Sequence, residues 1–138
     1  MKSYKDLLWH RTSERTQIIN ITHEVEKVVT QSGILEGIAL VYPMHTSSAV
    51  YVSDSDQTLT QDLEKVFSRL VPQGAGYHHD QTDPKENADA HIRAILCGHH
   101  ITLPVSHGHL DLGTYQTIYY AEFDGKREKE IQVKVMGE

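Results

Sequence analysis

Histidine is the residue type in this sequence that is best suited to chemistry. The chain has 10 histidines in 138 residues, and an imidazole can ligate a metal or transfer a proton near neutral pH. His45 follows a predicted strand and Pro43, His78-His79-Asp80 lies in the longest predicted loop, and His91 is near the start of a predicted helix. Strand ends, loops and helix starts are the places where folds present functional groups. We therefore expect His45, a loop histidine and His91 to face one cavity.

Two interpretations of these histidines are open from their spacing. Three neutral imidazoles are a ligand set of catalytic zinc, which keeps a fourth position for water, and Asp54, Asp80 or Asp89 would complete the shell or orient a ring. The sequence has no compact zinc motif such as H-E-x-x-H. The alternative is that His79 is a solvated loop residue and that His91 only packs at the edge of its helix.

The bulk properties limit the class of protein. A net charge of −6 with no long basic run disfavours a nucleic acid or an anionic membrane as partner. No apolar segment approaches the ~20 residues that span a bilayer, and the N-terminal residues lack the apolar centre of a signal peptide. The single cysteine, Cys97, cannot form an internal disulfide, so a cytoplasmic location is expected. We interpret Cys97 as core filler rather than as a nucleophile.

The helix that carries His91 is predicted to run from Asn87 to Gly98. Asn87 is the expected N-cap, because its side-chain oxygen can accept an amide proton of the first turn. Asp89 lies where the positive end of the helix favours a carboxylate. The apolar residues follow helical spacing and predict a buried stripe with His91 at its border: Ala88, Ile92, Ile95 and Leu96.

The remaining pattern predicts one α+β domain, residues 1–138, dominated by β-structure and containing about three helices. Strands are expected at residues 7–9, 17–19, 37–42, 50–52, 100–105, 110–112 and 116–123, and the last strand alternates at Ile131, Val133 and Val135. Helices are expected from Thr22 to Gly33 and from Thr58 to Pro72. Residues 73–86 are predicted as a loop, and Asp124-Gly125 as a hairpin turn.

Five segments together carry a family resemblance. In order, in spacing and over nearly the whole chain, they are similar to the YjbQ family, whose members are often labelled secondary thiamine-phosphate synthases. The segments are His45-Thr46-Ser47, Tyr77-His78-His79-Asp80, Asn87-Ala88-Asp89-Ala90-His91-Ile92-Arg93, Leu112-Gly113-Thr114-Tyr115-Gln116 and Glu122-Phe123-Asp124-Gly125.

The resemblance implies a compact α+β fold built on a β-sandwich, a homotrimer, and one pocket that holds His45, His79 and His91. It selects His79 over His78, and it makes the three histidines candidate ligands of zinc or another divalent metal. Without a metal, His91 or His79 would act as general base, with Asp80 or Asp89 as its orienter. Further contacts to a bound ligand are expected from these residues: Thr46, Ser47, Asn87, Asp89, Thr114 and Gln116.

Two departures from the family pattern affect these expectations. Tyr115 stands where the family commonly has tryptophan, which keeps an aromatic ring but adds a hydroxyl that needs a partner. Ser53-Asp54 stands where many members have Asn-Glu, and the shorter carboxylate reaches less far into a site. Thr114 and Gln116 either contact the ligand or fix the backbone of a tight turn.

The family label fits the residues only in part. Thiamine phosphate synthesis releases diphosphate, which requires cationic or metal-mediated charge compensation. Arg93, at a position that is usually basic in the family, and Lys85 are the cations near the motifs, and there is no Gly-rich phosphate loop or Asp-rich magnesium motif. A weak thiamine-phosphate-synthase-like activity is therefore expected rather than an efficient one.

Three classes of function remain at this stage. The first is an enzyme, a transferase or metal-dependent hydrolase, that acts on a small phosphorylated or anionic molecule. The second is a non-catalytic trimer that binds a small anion or a metal. The third is an assembly protein whose histidines only package the subunit interface.

Overall fold

Four helices and eight strands form the chain, and the computed structural model describes residues 1–138. The helices are α1 (Thr22–Ser32), α2 (Gln57–Leu70), α3 (His78–Thr82) and α4 (Ala88–Cys97). Three of them match the predicted helices, and α3 is a single short helix inside the segment that was predicted as loop. None of the four has the length and hydropathy of a membrane-crossing helix.

The strands form two antiparallel sheets. Their bounds are β1 (Lys2–Arg11), β2 (Gln17–Asn20), β3 (Gly37–Pro43), β4 (Ser48–Ser53), β5 (Ile101–Ser106), β6 (His109–Leu110), β7 (Thr117–Glu122) and β8 (Glu128–Gly137). One sheet has the order β1-β8-β3-β5-β6, and the other has the order β2-β7-β4. The predicted α+β class, with β-sandwich-like sheets, is confirmed.

The main core lies between the two sheets and α1. The alternating residues Ile131, Val133 and Val135 of β8 are fully buried there, as the period of two predicts. Full burial of one such side chain contributes about 1.5–3 kcal/mol to the free energy of unfolding. A second, smaller core lies on the outer face of the three-stranded sheet, where α2 and α4 cover it. Strand β7 is therefore buried on both faces, which explains its continuous apolar run.

The predicted core stripe of α4 is wrong at its C-terminal half. The helix packs on the three-stranded sheet through Ala90 and Ala94, which are small enough for close approach. Ile95 and Leu96 are instead 76 % and 61 % exposed. Leu70 of α2 is likewise exposed, at 67 %. The buried positions of α4 are all small or ion-paired: Ala88, Asp89, Ala90, Arg93 and Ala94.

The Asp124-Gly125 turn is a crossover between the two sheets and not a hairpin. Strands β7 and β8 do not pair with each other, since β7 pairs with β2 and β4, and β8 with β1 and β3. Gly125 is required there because a Cβ would overlap the Thr12 side chain. The β3–β4 connection crosses between the sheets at the same end of the sandwich, because Ser48 lies opposite Glu122 in the register.

Candidate functional site

Two cavities open where the two sheet crossovers meet the start of α4. The first has a volume of about 600 Å³ and is lined by the segment 76–79 together with Thr46, Ala88, His91 and Ile92. The second has a volume of about 390 Å³ and is strongly polar, and we call it the polar cavity. Its walls come from both crossovers and from the segment that precedes α4. Thr46 and His91 line both cavities, so they form the wall between them.

His91 is held in one tautomer by the β3–β4 crossover. Its Nδ1 lies 3.1 Å from the backbone oxygen of Thr46, and a carbonyl oxygen can only accept a hydrogen bond. Nδ1 therefore carries the proton of the neutral ring, and Nε2 keeps its lone pair. The ring of His79, from α3, stands edge-on to the His91 ring with 5.1 Å between the centroids.

His45 faces the polar cavity in the opposite tautomer. Its Nε2 accepts the backbone N–H of Glu130 at 3.1 Å, so Nδ1 carries the proton of the neutral ring. Burial lowers the pKa of the His45 imidazole below its ordinary value, and the positive charge of Lys129 lowers it further. The structure thus brings His79 and His91 into contact, and His45 lines the polar cavity.

The three histidines do not form a ready metal-binding set. No group of three or more His, Cys, Asp or Glu side chains in the chain is arranged to hold a metal ion. The reason lies in the hydrogen bonds, because the Nε2 atom of His45 is occupied by a backbone amide. This donor set does not fit the zinc shell that was predicted for His45, His79 and His91.

The lowered pKa of His45 predicts a pH-dependent stability. A folded-state pKa below the unfolded value means that the unfolded chain binds more protons, so stability falls as pH drops below about 6.5. Replacing His45 with asparagine should flatten the fall in Tm between about pH 7.5 and pH 5. The measurement is thermal unfolding at several pH values. An unchanged Tm-versus-pH curve in the variant would contradict this account.

The polar cavity contains charges of both signs. Lys85, Arg127 and Lys129 line it, together with the carboxylates of Asp83 and Asp124. The Asp124 carboxylate is 2.8 Å from the Arg127 guanidinium and partly exposed, so this pair is weakly stabilising by itself. Of these three cations, the sequence analysis predicts only Lys85 near the site.

A buried network of hydrogen bonds, centred on the Glu122 carboxylate, lies beneath the polar cavity. One oxygen of the Glu122 carboxylate accepts from Ser47 Oγ at 3.0 Å and from Lys129 Nζ at 3.1 Å, and the other accepts from Tyr120 OH at 2.5 Å. Burial raises the pKa of Tyr120 far above its usual value, with the nearby Glu122 charge adding to the effect. Ser47, a predicted ligand contact, is 4 % exposed, and its hydroxyl donates a hydrogen bond to Glu122.

Asp89 and Arg93 are turned away from both cavities. The Asp89 carboxylate is fully buried and accepts two hydrogen bonds of 3.0 Å from the guanidinium of Arg15. Arg93 lies 3.6 Å from Asp89 and donates twice to the backbone oxygen of Val71. These contacts tie α4 to the β1–β2 connection and to the end of α2. Neither residue lies where the predicted ligand or anion contact requires it.

Asn87 is at the N-cap position of α4 but does not cap the helix with its side chain. The carboxylate of Asp80 accepts the Ala88 N–H at 2.9 Å instead. The side-chain nitrogen of Asn87 donates to Asp124 at 2.9 Å. Asp80 is therefore a helix cap in this structure, and the predicted capping role of Asn87 is wrong, because the Asn87 side-chain oxygen accepts no amide proton of the first turn.

Thr114 and Gln116 lie at the opposite end of β7 from the cavities. Residues 117–121 of β7 separate Gln116 from Glu122, a span of roughly 20 Å at about 3.4 Å per residue. Gln116 Oε1 accepts the Gly113 N–H at 2.7 Å, so within one chain it fixes the turn. Tyr115 between them is 75 % exposed. Asp54 lies at this same end, because Ser53 pairs with Thr117.

The sequence pattern contained a signal for the residues that were missed. Lys129 shares the inward phase of β8 with Ile131, Val133 and Val135, and Glu122 ends the apolar run of β7. A charged residue at a position that the alternation assigns to the core needs a partner of opposite charge. On this ground, the pattern of β7 and β8 contains a sequence signal for the pairing of Glu122 with Lys129.

The comparisons with known proteins identify the family. The model of the family described as UPF0047 protein YjbQ-like matches residues 6–138. The chain belongs to the YjbQ family. It is 42 % identical to a UPF0047 protein of Methanothermobacter thermautotrophicus over 137 residues, which is 99 % of this chain and 94 % of that protein.

Two further relatives extend the similarity within the YjbQ family. The UPF0047 protein YugU of Bacillus subtilis is 33 % identical over 129 residues, which cover 92 % of this chain and 95 % of YugU. The crystal structure of a YbjQ-like protein of unknown function from Sulfolobus solfataricus P2 has a TM-score of 0.94, at 32 % identity and with 99 % of each chain covered. The resemblance that the sequence motifs indicated is thus confirmed at the level of family and fold.

Proposed function

We propose that the chain is an enzyme for a small phosphorylated or anionic molecule, with His91 as general base. The apolar part of the molecule would occupy the 600 Å³ cavity, and its anionic group the polar cavity. The observation that carries the proposal is the tautomer of His91. Its Nδ1–H is committed to the Thr46 carbonyl, which leaves the Nε2 lone pair free at the junction of the two cavities.

The other side chains have supporting roles in this proposal. The His79 ring, edge-on to His91, would orient the substrate or exchange protons with it. The Nδ1–H of His45 and the cations Lys85 and Arg127 would bind the anionic group. Preorganised donors around a reacting anion stabilise charge that develops in the transition state.

A weak thiamine-phosphate-synthase-like activity is one reaction within this class. It would use the polar cavity for phosphate groups. An efficient synthase is disfavoured because two of the cations are already hydrogen-bonded within the chain. Arg93 donates to the backbone oxygen of Val71, and Lys129 donates to Glu122. A leaving diphosphate would then meet few free positive charges, and a slow side activity follows.

Zinc or another divalent metal remains a separate prediction, and no step of the proposed reaction passes through it. The test is elemental analysis of protein that was purified without a histidine tag. About one zinc per chain would require ligands beyond the set that one chain arranges by itself.

The experiment that tests the proposed function is a paired screen of the intact protein. Turnover and ligand-dependent melting are measured on the same panel of phosphorylated small molecules. A compound that is consumed and that also raises Tm supports the enzyme. Compounds that raise Tm without any turnover favour the second candidate, a non-catalytic anion-binding module, whose supporting observation is the mixed-charge polar cavity. If no compound has either effect, both proposals fail.

We also propose that copies of the chain associate, as the homotrimer that the resemblance implies. The supporting observation is the exposed apolar surface of α2 and α4, which includes Leu70, Ile95 and Leu96. Apolar patches of this kind mark interaction sites in soluble proteins. Ile95 and His91 are one helical turn apart on α4, so an interface at Ile95 would border the cavities.

Replacing Ile95 with glutamate should therefore dissociate the oligomer. A charge at the centre of an apolar interface must be desolvated without a partner, which costs more than the lost contacts alone. Sedimentation velocity at micromolar concentration measures the change, with Gln31→Glu on α1 as the matched control. An oligomer that persists in Ile95→Glu, or a wild type that is monomeric, would contradict this interface.

A further inference from the structure

A third cavity, with a volume of about 260 Å³, lies beside His91. Its lining is almost entirely apolar and comes from the β3–β4 crossover, from α4 and from the residues that follow α4: Thr46, His91, Ala94, Ile95 and His99. Ile95 is 76 % exposed, so the cavity is open to solvent on that side. An apolar cavity of about 150 Å³ already accommodates benzene. The third cavity is therefore large enough for one aromatic side chain.

Tyr115 is the most exposed aromatic residue of the chain, at 75 %. The Gln116 N–H donates to the Gly113 oxygen at 3.0 Å, which makes Thr114 and Tyr115 the two central residues of a β-turn. A ring at the tip of a turn projects from the surface, whereas a ring on a strand, such as that of Trp9, lies along the sheet. Because the turn is fixed by hydrogen bonds, Tyr115 can enter a cavity of another molecule at a small cost in conformational entropy.

The Tyr115 ring cannot reach the third cavity of its own chain. Ser48, at the cavity end of β4, pairs with Glu122, and Ser53, at the other end of β4, pairs with Thr117. The turn directly precedes Thr117, so the length of β7 lies between the ring and the cavity. Five steps of about 3.4 Å make this distance roughly 17 Å. Only a second molecule can therefore place this ring in the cavity.

The charges around the turn and around the cavity favour such a contact. Residues 53–58 and 109–116 contain the aspartates Asp54, Asp56 and Asp111 and no lysine or arginine. The polar cavity, which adjoins the third cavity, is lined by three cations and two carboxylates. Opposite charges across an interface orient the two partners. A contact between two different patches of the same chain is heterologous, and a heterologous contact can close into a ring of copies.

We propose that Tyr115 of a neighbouring copy enters the third cavity and forms a wall of the site beside His91. This inference rests on the association proposed above, and it adds the residue that each copy contributes to the site of the next. The inserted ring covers the open side of the cavity and excludes water there. Exclusion of water strengthens the electrostatic interactions of a site, including those of a base such as His91.

Cross-linking of the full chain tests this contact without knowledge of a substrate. Two chains are co-expressed, one with Thr46→Cys and one with Thr114→Cys, and both carry Cys97→Ala so that no native thiol reacts. A short bis-maleimide should join them at least about 10-fold faster than it joins Thr46→Cys to Thr102→Cys, because an interface holds two groups at a high effective concentration. Thr102 is the matched control, an exposed threonine of β5. Equal rates for the two pairs would overturn the proposal.

Variants at position 115 assign the contact to the ring. Tyr115→Ala should raise the dissociation constant of the oligomer about 10- to 100-fold, since a buried aromatic anchor contributes this much at an interface. Tyr115→Phe keeps the ring and should associate within about 3-fold of the wild type. Trp9→Ala, which removes the next most exposed aromatic side chain, should leave the constant unchanged. Sedimentation equilibrium measures these constants, and wild-type association of folded Tyr115→Ala would overturn the role of the ring.

The failure of this inference can be told apart from the failure of the association on which it rests. A monomeric wild type would remove the association, and this inference with it. An oligomer without selective cross-linking between positions 46 and 114 would keep the association and remove only the contribution of Tyr115 to the site. Thr46 and Thr114 are exposed, and cysteine is close to threonine in size. The cross-link therefore decides the matter even if Tyr115→Ala does not fold.

Discussion

Alanine at position 91 is expected to lower turnover by about 10²- to 10⁴-fold, the range that a general base contributes. The Nε2 lone pair is lost, while the cavities that bind the ligand keep most of their walls. Ligand-dependent stabilisation should therefore persist within about 1 kcal/mol, because other residues make the binding contacts. The measurements are kcat with the substrate found in the panel, and the shift in Tm with the same compound.

Two further variants separate proton transfer from packing at this position. His91→Asn can still donate to the Thr46 carbonyl, because its amide nitrogen is bonded to Cγ as the ring Nδ1 is, but an amide cannot act as a base, so its activity should be as low as that of His91→Ala. His23→Ala, at an exposed position of α1, is the matched histidine control and should retain wild-type kcat. Near-wild-type turnover in His91→Asn would show that position 91 needs a hydrogen-bond donor rather than a base.

The largest loss of stability is expected from Glu122→Ala. Glu122 is fully buried and Lys129 is 5 % exposed, and removal of one partner leaves the other charge without compensation. Breaking a buried pair in this way costs about 3–5 kcal/mol of unfolding free energy. The hydroxyls of Ser47 and Tyr120 lose their acceptor in the same step. Urea unfolding measures the difference.

Two variants serve as controls for this prediction. Glu128→Ala, at an exposed position of β8, should change the unfolding free energy by about 0.5 kcal/mol or less. The double variant Glu122→Leu/Lys129→Met removes both charges and should be considerably more stable than Glu122→Ala, since no charge is left unpaired. A loss of less than about 1 kcal/mol in Glu122→Ala would mean that water or relaxation compensates Lys129.

The buried network centred on Glu122 also supports the polar cavity. Asp124 receives a hydrogen bond from Lys129 at its backbone oxygen, and its N–H donates to Glu122. Its side chain in turn holds Asn87 and Arg127. The buried charges therefore fix the crossover that forms one wall of the polar cavity. Rigid support of this kind is what a binding site needs in order to keep its donors in place.

Periodic patterns in the sequence predicted two elements of the fold, the strand β8 and the helix around His91. The alternation of Ile131, Val133 and Val135 placed β8 in the core, because a strand with one buried face must repeat every two residues. The helix around His91 was predicted from its helical spacing and its Gly98 stop. Its buried face was not, because spacing marks a stripe of apolar residues without telling whether the same chain or another molecule covers it.

The sequence by itself determined the family, the α+β class and the order of the strands and of the three longer helices, since these follow from local propensity and from motifs that are contiguous in the chain. It also singled out His79 and His91. Only the tertiary structure decided the tautomers of His45 and His91, the inward turn of Arg93 and the pairing of Glu122 with Lys129. These features depend on hydrogen bonds with residues that are distant in the sequence, such as the one that the Glu130 N–H donates to His45. The two crossovers between the sheets bring those segments together. The periodicity of the sequence does not predict which segments the crossovers place next to each other.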